Sequence, residues 1–455
     1  MITIVKPKEL VDKLWGKQKI REGETYRMMR YVLRVDHEDK VLLHNVVTGR
    51  LVVLDREEAE ALKTLPSPYS PAMEQMVTEH YLVPEDYDEH QQVINLREIF
   101  IKFDDAHESK DIMHYIILPT TACNASCYYC FEQGCKWDTM TEKTAADLVD
   151  FMAAHCGGKP ITINWFGGEP TVAAHRIDQI CEGLVKAGVH FRSTMHTNGY
   201  LFDGEMVERA KTLWKLQALQ ICVDGTEDSY NKIKVFPSAR DNPYERVMRN
   251  IELLLSAGIR VGLRMNFDLG NYQEFPNLMD EVMRRFGRNK RLSLSAFPVI
   301  GEYEDRTGQI LHGSDDWADK ERMALNLMAR KEGLQRDRTK IPSLNFTACQ
   351  AFHDTYVVVT PEGSFAKCPE QFGDDQVIGN IYTGITNHEL VQCWKKPAEL
   401  PICKDCALFP SCFRLANCSN TTYCNKSSDF LTQYHEIIKS VYDKMEGKDG
   451  KENVS

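Results

Sequence analysis

Three cysteines stand close together in the first half of the chain, at Cys123, Cys127 and Cys130. Cysteines clustered in this way are typical of metal binding or catalysis rather than of disulfides. Three thiolates leave one iron of a four-iron cluster without a protein ligand, and that iron is then open to a substrate or cofactor. A zinc site that lacks one ligand is the alternative. We predict a catalytic four-iron cluster at these residues.

A second group of cysteines lies in the last quarter of the chain. The run C-x2-C-x5-C at Cys403, Cys406 and Cys412 would by itself also fit a zinc ribbon. Three other cysteines stand alone in apolar stretches, and we expect them to be small buried hydrophobic residues. They are Cys156, Cys181 and Cys222.

Six apolar strand candidates alternate with helical stretches between residues 114 and 300. This alternation predicts a parallel sheet with right-handed crossovers, an α/β fold built as a partial (β/α)6 barrel of the TIM type. Such barrels place their chemistry at the carboxyl ends of the strands. The motifs at the ends of the first four strands are TACNASCYYC, GGEP, TNG and DG.

The rest of the chain divides by composition. Three short strand candidates followed by helices predict a small winged-helix-like module at the front. A polar linker, the barrel, a charged helical bridge, a cysteine-rich domain and a closing helix with its tail follow. The predicted boundaries are 1–95, 96–113, 114–310, 311–345, 346–430 and 431–455.

Composition narrows the range of functions. A formal net charge of −11 argues against a nucleic-acid partner, because phosphate contacts need a basic surface. No apolar run is long enough for a membrane helix, and the first residues lack the features of a signal peptide. We therefore expect a cytoplasmic protein with no membrane partner.

The cysteine loop and GGEP together resemble the radical S-adenosylmethionine (SAM) superfamily over most of residues 114–300. The resemblance implies that Cys123, Cys127 and Cys130 hold a [4Fe-4S] cluster whose free iron chelates the amino and carboxylate groups of SAM. It also implies that Glu169 accepts a hydrogen bond from the SAM ammonium group and that Arg264 pairs with the SAM carboxylate. The matching cofactor-binding positions are Gly167, Gly168, Glu169, Asn198, Arg264 and Tyr129.

The later cysteines resemble the SPASM extension of radical enzymes that modify peptides and proteins, which carries up to two auxiliary clusters. The usual pattern has a cysteine where this chain has Ala416, and Cys418 is the nearest one. The resemblance implies two further [4Fe-4S] clusters, three in all, of which the first auxiliary cluster either has an open iron or takes Cys393 as its fourth ligand. The implied ligands are Cys349, Cys368 and Cys418 for that cluster, and Cys403, Cys406, Cys412 and Cys424 for the other. Cys135 is not expected to be a ligand.

The first 95 residues resemble a RiPP recognition element, the winged domain that captures leader peptides of ribosomally made natural products. Such a domain adds the leader as a strand to an exposed sheet edge. The resemblance therefore implies a precursor peptide with a leader sequence as the partner.

Together these resemblances imply a peptide maturase that installs cysteine thioether crosslinks, similar to sactipeptide and ranthipeptide synthases. A 5′-deoxyadenosyl radical would remove a hydrogen atom from an acceptor carbon, and a peptide cysteine would then bond to that carbon. An external donor such as flavodoxin or ferredoxin would supply electrons.

Three alternatives stay open. One is another radical modification of a peptide: a carbon–carbon or ether crosslink, or epimerisation. The second is the cysteine or serine oxidation of anaerobic sulfatase maturation, against which the front module argues. The third is a protein without catalytic activity that binds peptides and is stapled by zinc.

Overall fold

The structure is a computed structural model that describes residues 2–5, 15–106, 111–132, 134, 136–299, 302–304, 310–312, 316–335, 341–346, 349–418, 424 and 428–447. The chain forms two compact units. The first unit comprises Met1–Glu108, Arg338–Phe352 and Lys395–Ser455, and the second comprises Ser109–Asp337 and His353–Trp394. The predicted cysteine-rich domain, 346–430, is thus divided between the two units.

The strands are, in chain order, β1 (Ile2–Val5), β2 (Thr25–Met28), β3 (Val32–His37), β4 (Lys40–Asn45), β5 (Leu51–Asp55), β6 (Ser67–Pro68), β7 (Leu82–Pro84), β8 (His114–Ile117), β9 (Ser126–Cys127), β10 (Ile161–Trp165), β11 (Phe191–Thr197), β12 (Leu216–Cys222), β13 (Lys234–Val235), β14 (Arg260–Phe267), β15 (Leu292–Pro298), β16 (Glu302–Glu304), β17 (Ile310–His312), β18 (Tyr356–Val359), β19 (Ser364–Ala366), β20 (Gly379–Asn380) and β21 (Gly384–Ile385). The α-helices are α1 (Arg56–Ala61), α2 (Glu74–Thr78), α3 (Glu89–Ala106), α4 (Glu142–His155), α5 (Ala174–Lys186), α6 (Gly204–Thr212), α7 (Glu227–Ile233), α8 (Pro243–Ser256), α9 (Phe275–Phe286), α10 (Asp316–Lys331), α11 (His388–Cys393) and α12 (Ser428–Met445).

The first unit contains two small antiparallel sheets, with strand orders β1-β5-β4-β3 and β6-β2-β7. Its core joins side chains of β3, β4 and β5 to Phe409 and to the α12 residues Ile438 and Tyr442. The front segment therefore shares its core with the last part of the chain.

Helix α3 occupies much of the segment that the sequence predicted as a linker, 96–113. The helix is rich in charged residues but has a short apolar face, on which Val93 and Leu96 are buried in the core of the first unit. Phe100 on the same face stacks on Phe346 at a ring-centroid distance of 4.6 Å. Packing of this apolar face thus stabilises a helix in a segment whose polar composition predicted a linker.

The second unit is built on a mostly parallel sheet. Its strands lie in the order β15-β14-β12-β11-β10-β8-β18-β19-β20-β21. The first six in that order are the strands that the sequence predicted, and adjacent strands among them pair in parallel. The predicted α/β fold with a mostly parallel sheet is confirmed.

The helices cover this sheet with apolar faces. In α5 the buried residues Ile177, Ile180, Cys181 and Leu184 recur at the spacing of one helix face. Cys156 is buried too, as predicted for both of these cysteines, whereas Cys222 at the end of β12 is only partly buried. Position 222 therefore lies closer to the edge of the core than its apolar surroundings indicated.

The sequence did not predict that β18 extends the central sheet. This strand comes from the stretch read as a separate cysteine-rich domain, and it pairs in parallel with β8 from Tyr356↔His114 to Val359↔Ile117. Strands β19, β20 and β21 continue the sheet in antiparallel pairs. None of the described helices is long and apolar enough to cross a bilayer.

Candidate functional site

The loop after β8 brings the first three cysteines together. The Cys130 amide donates to the Cys127 carbonyl at 3.2 Å, and the Ala125 amide donates to the Cys123 sulfur at 3.4 Å. Burial raises the pKa of the Cys123 thiol to about 12, and the nearby charges of Glu169, Cys127 and Cys130 add to that rise. The three predicted ligands are therefore neighbours in a shielded site.

The two glycines of GGEP are required by the approach of this loop to the end of β10. A Cβ on Gly168 would lie 2.5 Å from the carbonyl oxygens of Ala122 and Thr121. A Cβ on Gly167 would lie 2.3 Å from the Thr120 carbonyl oxygen, and its φ of 109° is itself unfavourable for other residues. These glycines thus let the β10 end pack against the cysteine loop.

Glu169 is fully buried, and its carboxylate joins the ends of two strands. One oxygen accepts hydrogen bonds from the Thr171 amide, the Thr171 hydroxyl and the Thr197 hydroxyl, and the other accepts from the Asn198 amide at 2.7 Å. Burial raises the pKa of this carboxyl group, and the hydrogen bonds from Thr171, Asn198 and Thr197 oppose that rise. Since all these partners donate, the arrangement suits the ionised form, the form that a SAM ammonium group would need.

Asn198 connects the end of β11 to the cysteine loop. Its side-chain amide donates to the Asn124 side-chain oxygen at 2.7 Å, next to Cys123. Its own oxygen accepts from the Tyr200 amide at 3.0 Å. The TNG motif therefore lies beside the first cysteine.

Arg264 lies on β14 and is held from two sides. Its Nε donates to the Asn266 side-chain oxygen at 2.8 Å, and its guanidinium carbon lies 4.4 Å from the centre of the Phe297 ring. Burial lowers the pKa of His196 to about 4, and the positive charge of Arg264 contributes to this lowering. The described contacts place Arg264 near the strand ends; its pairing with a carboxylate of SAM stays a prediction.

Tyr129 points into a buried polar network that the sequence did not indicate. Its hydroxyl donates to the Asp224 carboxylate. It accepts from the side-chain amide of Asn266 and from the Lys234 ammonium group, both at 3.1 Å. Lys234 belongs to β13, which pairs with β9 in the cysteine loop. The Lys234 ammonium group also lies near the Cys127 sulfur. The two residues are 107 positions apart in the chain, so no local sequence pattern could have revealed this contact.

The first unit gathers part of the second cysteine group. The loop is folded by amide hydrogen bonds from Cys406 to the Cys403 carbonyl and from Cys412 to the Phe409 carbonyl. Burial raises the pKa of the Cys403 thiol, and the charges of Cys412 and Cys424 raise it further. That Cys403, Cys406, Cys412 and Cys424 together hold one auxiliary cluster stays a prediction.

Arg97 of α3 holds the backbone of this loop. It is buried, and its guanidinium group donates to the carbonyl oxygens of Phe409, at 2.8 Å, and of Cys412. Its guanidinium carbon also lies 4.3 Å from the centre of the Phe409 ring. Burial lowers the pKa of Arg97 to about 10. The helix that replaced the predicted linker thus positions the second cysteine loop.

The remaining predicted ligands are placed separately. Cys349 is exposed and Cys418 is partly buried, both in the first unit. Cys368 and Cys393 are partly buried and belong to the second unit. Their grouping around one cluster stays a prediction, and Cys135 lies outside the described residues.

The donor set after β8 fits a four-iron cluster. Three thiolates in one loop can each bind a different iron of such a cluster and leave the fourth iron without a protein ligand. Cys123, Cys127 and Cys130 would be the residues that hold such a cluster.

Comparison with known proteins agrees with this geometry. Residues 117–282 match the Radical SAM superfamily. This stretch is a radical SAM domain. The domain implies a [4Fe-4S] cluster, as the cysteine spacing had indicated, and SAM, as the family resemblance had implied.

One curated relative is the Fe-coproporphyrin III synthase of Methanosarcina barkeri (strain Fusaro / DSM 804), which is 26% identical over 164 residues. The match covers 35% of this chain, and the chain spans only 38% of the length of that relative. The similarity therefore concerns a part of each protein.

Two solved structures share the fold over more of the chain. Native anSMEcpe with bound AdoMet and Cp18Cys peptide is 17% identical, with a TM-score of 0.55 over 74% of this chain and 99% of that one. SuiB of Streptococcus suis is 15% identical, with a TM-score of 0.50 over 85% of this chain and 94% of that one. At these identities the similarity is one of fold.

Substituting Gly168 tests whether the close packing of the loop is needed for metal binding. We expect Gly168→Ala to lose most of the iron of the first site and to lower the unfolding temperature, because the new methyl group would meet two backbone carbonyls. Iron analysis and thermal unfolding measure both effects. Gly204→Ala is the control, since no atom lies within 4 Å of its added Cβ. Iron content and stability equal to those of the control would contradict the packing argument.

Proposed function

We propose that this protein is a radical SAM maturase that modifies a ribosomally made precursor peptide, most simply by forming cysteine thioether crosslinks. The observation that carries the proposal is the presence of a radical SAM domain together with a separate cysteine loop in the other unit, which backbone hydrogen bonds fold.

The site after β8 supports the first part of the proposal. Cys123, Cys127 and Cys130 would hold the cluster, and the buried carboxylate of Glu169 would face the SAM ammonium group. When bound, the reduced cluster supplies the electron that splits SAM into methionine and a 5′-deoxyadenosyl radical. The protein shields this site, since the thiols are half-buried and Glu169 is fully buried.

The loop at Cys403, Cys406, Cys412 and Cys424 supports the second part. In this reading it holds an auxiliary cluster of a SPASM-type domain, and Cys349, Cys368 and Cys418 serve the other one. Arg97 keeps the loop folded through its bonds to the Phe409 and Cys412 carbonyls. When a thiol and a carbon-centred radical form a thioether, the S–H bond breaks, its proton is released, and auxiliary clusters would accept the electron left over.

A peptide substrate is supported by the fold as well. In the anSMEcpe structure the shared fold holds AdoMet and a peptide together. The small antiparallel sheet β1-β5-β4-β3 would be the leader-binding module, since a strand at its edge offers backbone groups to an extended peptide.

Removing one ligand tests the radical chemistry. We expect Cys127→Ala to abolish the formation of 5′-deoxyadenosine, because the cluster loses a ligand. Iron should fall from about twelve to about eight atoms per chain, at four irons per cluster. Chromatography of the reaction products and iron analysis measure these changes. Cys156→Ala removes a buried cysteine far along the chain from the loop and should leave both values unchanged. Continued cleavage of SAM by Cys127→Ala would refute the assignment, and zinc with negligible iron in the wild type would favour the zinc-stapled binding protein.

The identity of the new bond is tested on a short cysteine-rich peptide encoded next to the gene. After co-expression, we expect the peptide to lose two hydrogens per crosslink and one alkylatable thiol per crosslink, because each thioether consumes one S–H and one C–H bond. Mass spectrometry with and without iodoacetamide measures both. Loss of two hydrogens with all thiols still alkylatable would exclude a thioether and favour a carbon–carbon or ether bond.

Leader recognition is tested by affinity. We expect the full precursor to bind the wild-type enzyme at least tenfold more tightly than the same peptide without its leader, because added main-chain hydrogen bonds stabilise the complex. Fluorescence anisotropy with labelled peptides measures the two dissociation constants. Truncating the enzyme is unsuitable, since the front sheet shares its core with Phe409 and α12. Equal affinities would remove leader capture from the proposal.

A further inference from the structure

A buried lysine faces one of the cluster-binding cysteines across a two-residue ladder. Strands β9 and β13 pair antiparallel, with Lys234 opposite Cys127 and Val235 opposite Ser126. The Lys234 Nζ lies 3.6 Å from the Cys127 Sγ. The register of this ladder therefore aims the ammonium group at one particular sulfur.

The surroundings of Lys234 hold its ammonium group in place. The Nζ lies 3.3 Å from an Asp224 carboxylate oxygen and 3.1 Å from the Tyr129 hydroxyl. The other Asp224 oxygen accepts from the backbone amide of Asn266 at 2.8 Å, and this bond holds the carboxylate in place. Only 5% of the Lys234 side chain and none of the Asp224 side chain is exposed.

Lys234 has a countercharge in spite of this burial, because an Asp224 carboxylate oxygen lies 3.3 Å from its Nζ. A buried charge without such a partner would be costly. A fixed charge in a site that excludes water acts far more strongly on its neighbours than one at the surface. Salt in the solvent also screens it less.

We propose that Lys234 is a positioning residue that donates to the Cys127 sulfur and raises the reduction potential of the cluster bound there. The inference rests on the proposed function, which places a four-iron cluster at Cys123, Cys127 and Cys130. Reduction adds one negative charge to such a cluster. A hydrogen bond and a positive charge at one ligand sulfur stabilise the reduced form relative to the oxidised form.

An ion pair that served only the fold would need no contact with the cysteine. Asp224 already supplies Lys234 with a full countercharge, and Tyr129 supplies a hydrogen-bond partner. The ladder nevertheless places the ammonium group beside the sulfur. Lys234 and Asp224 therefore form a dipole. Its positive end, the Lys234 ammonium group, faces Cys127, and its negative end, the Asp224 carboxylate, accepts a hydrogen bond from Asn266.

The test measures the midpoint potential of the first cluster in the full-length, reconstituted protein. The signal of this cluster is the one whose electron paramagnetic resonance spectrum changes when SAM is added. We expect Lys234→Met to shift the one-electron reduction equilibrium toward the oxidised form at least tenfold, which is about 59 mV to lower potential. Lys234→Arg keeps the charge and should stay near the wild-type potential.

Two further variants serve as controls. Lys232→Met removes an exposed charge two residues away and should leave the potential unchanged. The double variant Asp224→Asn/Lys234→Met leaves no unpaired buried carboxylate, so it carries the test if Lys234→Met alone loses its iron. Its potential should lie between those of Lys234→Met and the wild type, because both ends of the dipole are gone.

The outcomes separate this inference from the proposed function. A SAM-sensitive signal whose potential is the same in Lys234→Met, Lys232→Met and the wild type would overturn the role of Lys234 alone. Absence of that signal from the iron-loaded wild type would overturn the proposed cluster and the inference with it. A lower potential in Lys234→Met that Lys234→Arg restores would establish the role.

Discussion

The closeness of the cysteine loop to the end of β10 is the constraint on which the site depends. The two glycines allow the carbonyls of Thr120, Thr121 and Ala122 to lie where a side chain would otherwise stand. The Glu169 amide can then donate to the Ala122 carbonyl at 2.9 Å, and the Glu169 carboxylate reaches Asn198. Asn198 in turn bonds Asn124, so three strand ends are tied into one closed circuit of hydrogen bonds. This circuit connects the cysteine loop to the ends of β10 and β11.

Buried positive charge recurs at both cysteine loops, but its two forms act differently. Lys234 contacts a cysteine sulfur directly, whereas Arg97 contacts the carbonyls of Phe409 and Cys412 and so acts on the path of the backbone. Both cations have partners, since an isolated buried charge would be costly. We propose a role in tuning the cluster for Lys234 only.

The sequence was most informative where chemistry and periodicity agree. The six parallel strands were predicted because short apolar runs alternate with helical stretches and the first four runs end in a polar or glycine motif, and the six strands lie side by side in the sheet. Helix α3 was missed, because only a few buried residues in a charged stretch decide its packing. The pairing of β18 with β8 and the contact of Lys234 with Cys127 were missed for another reason. They join segments far apart in the chain, and neither local propensity nor spacing reports on such contacts.

The parallel pairing of β18 with β8 has a consequence for how the protein is made. Its partners, such as His114 and Tyr356, are about 240 positions apart in the chain. Closing a contact across that distance is slow compared with forming local structure. On the ribosome, the strand that carries the cysteine loop must therefore wait for a partner that is synthesised much later. Until that partner is made, one edge of β8 has backbone N–H and C=O groups that no strand pairs with.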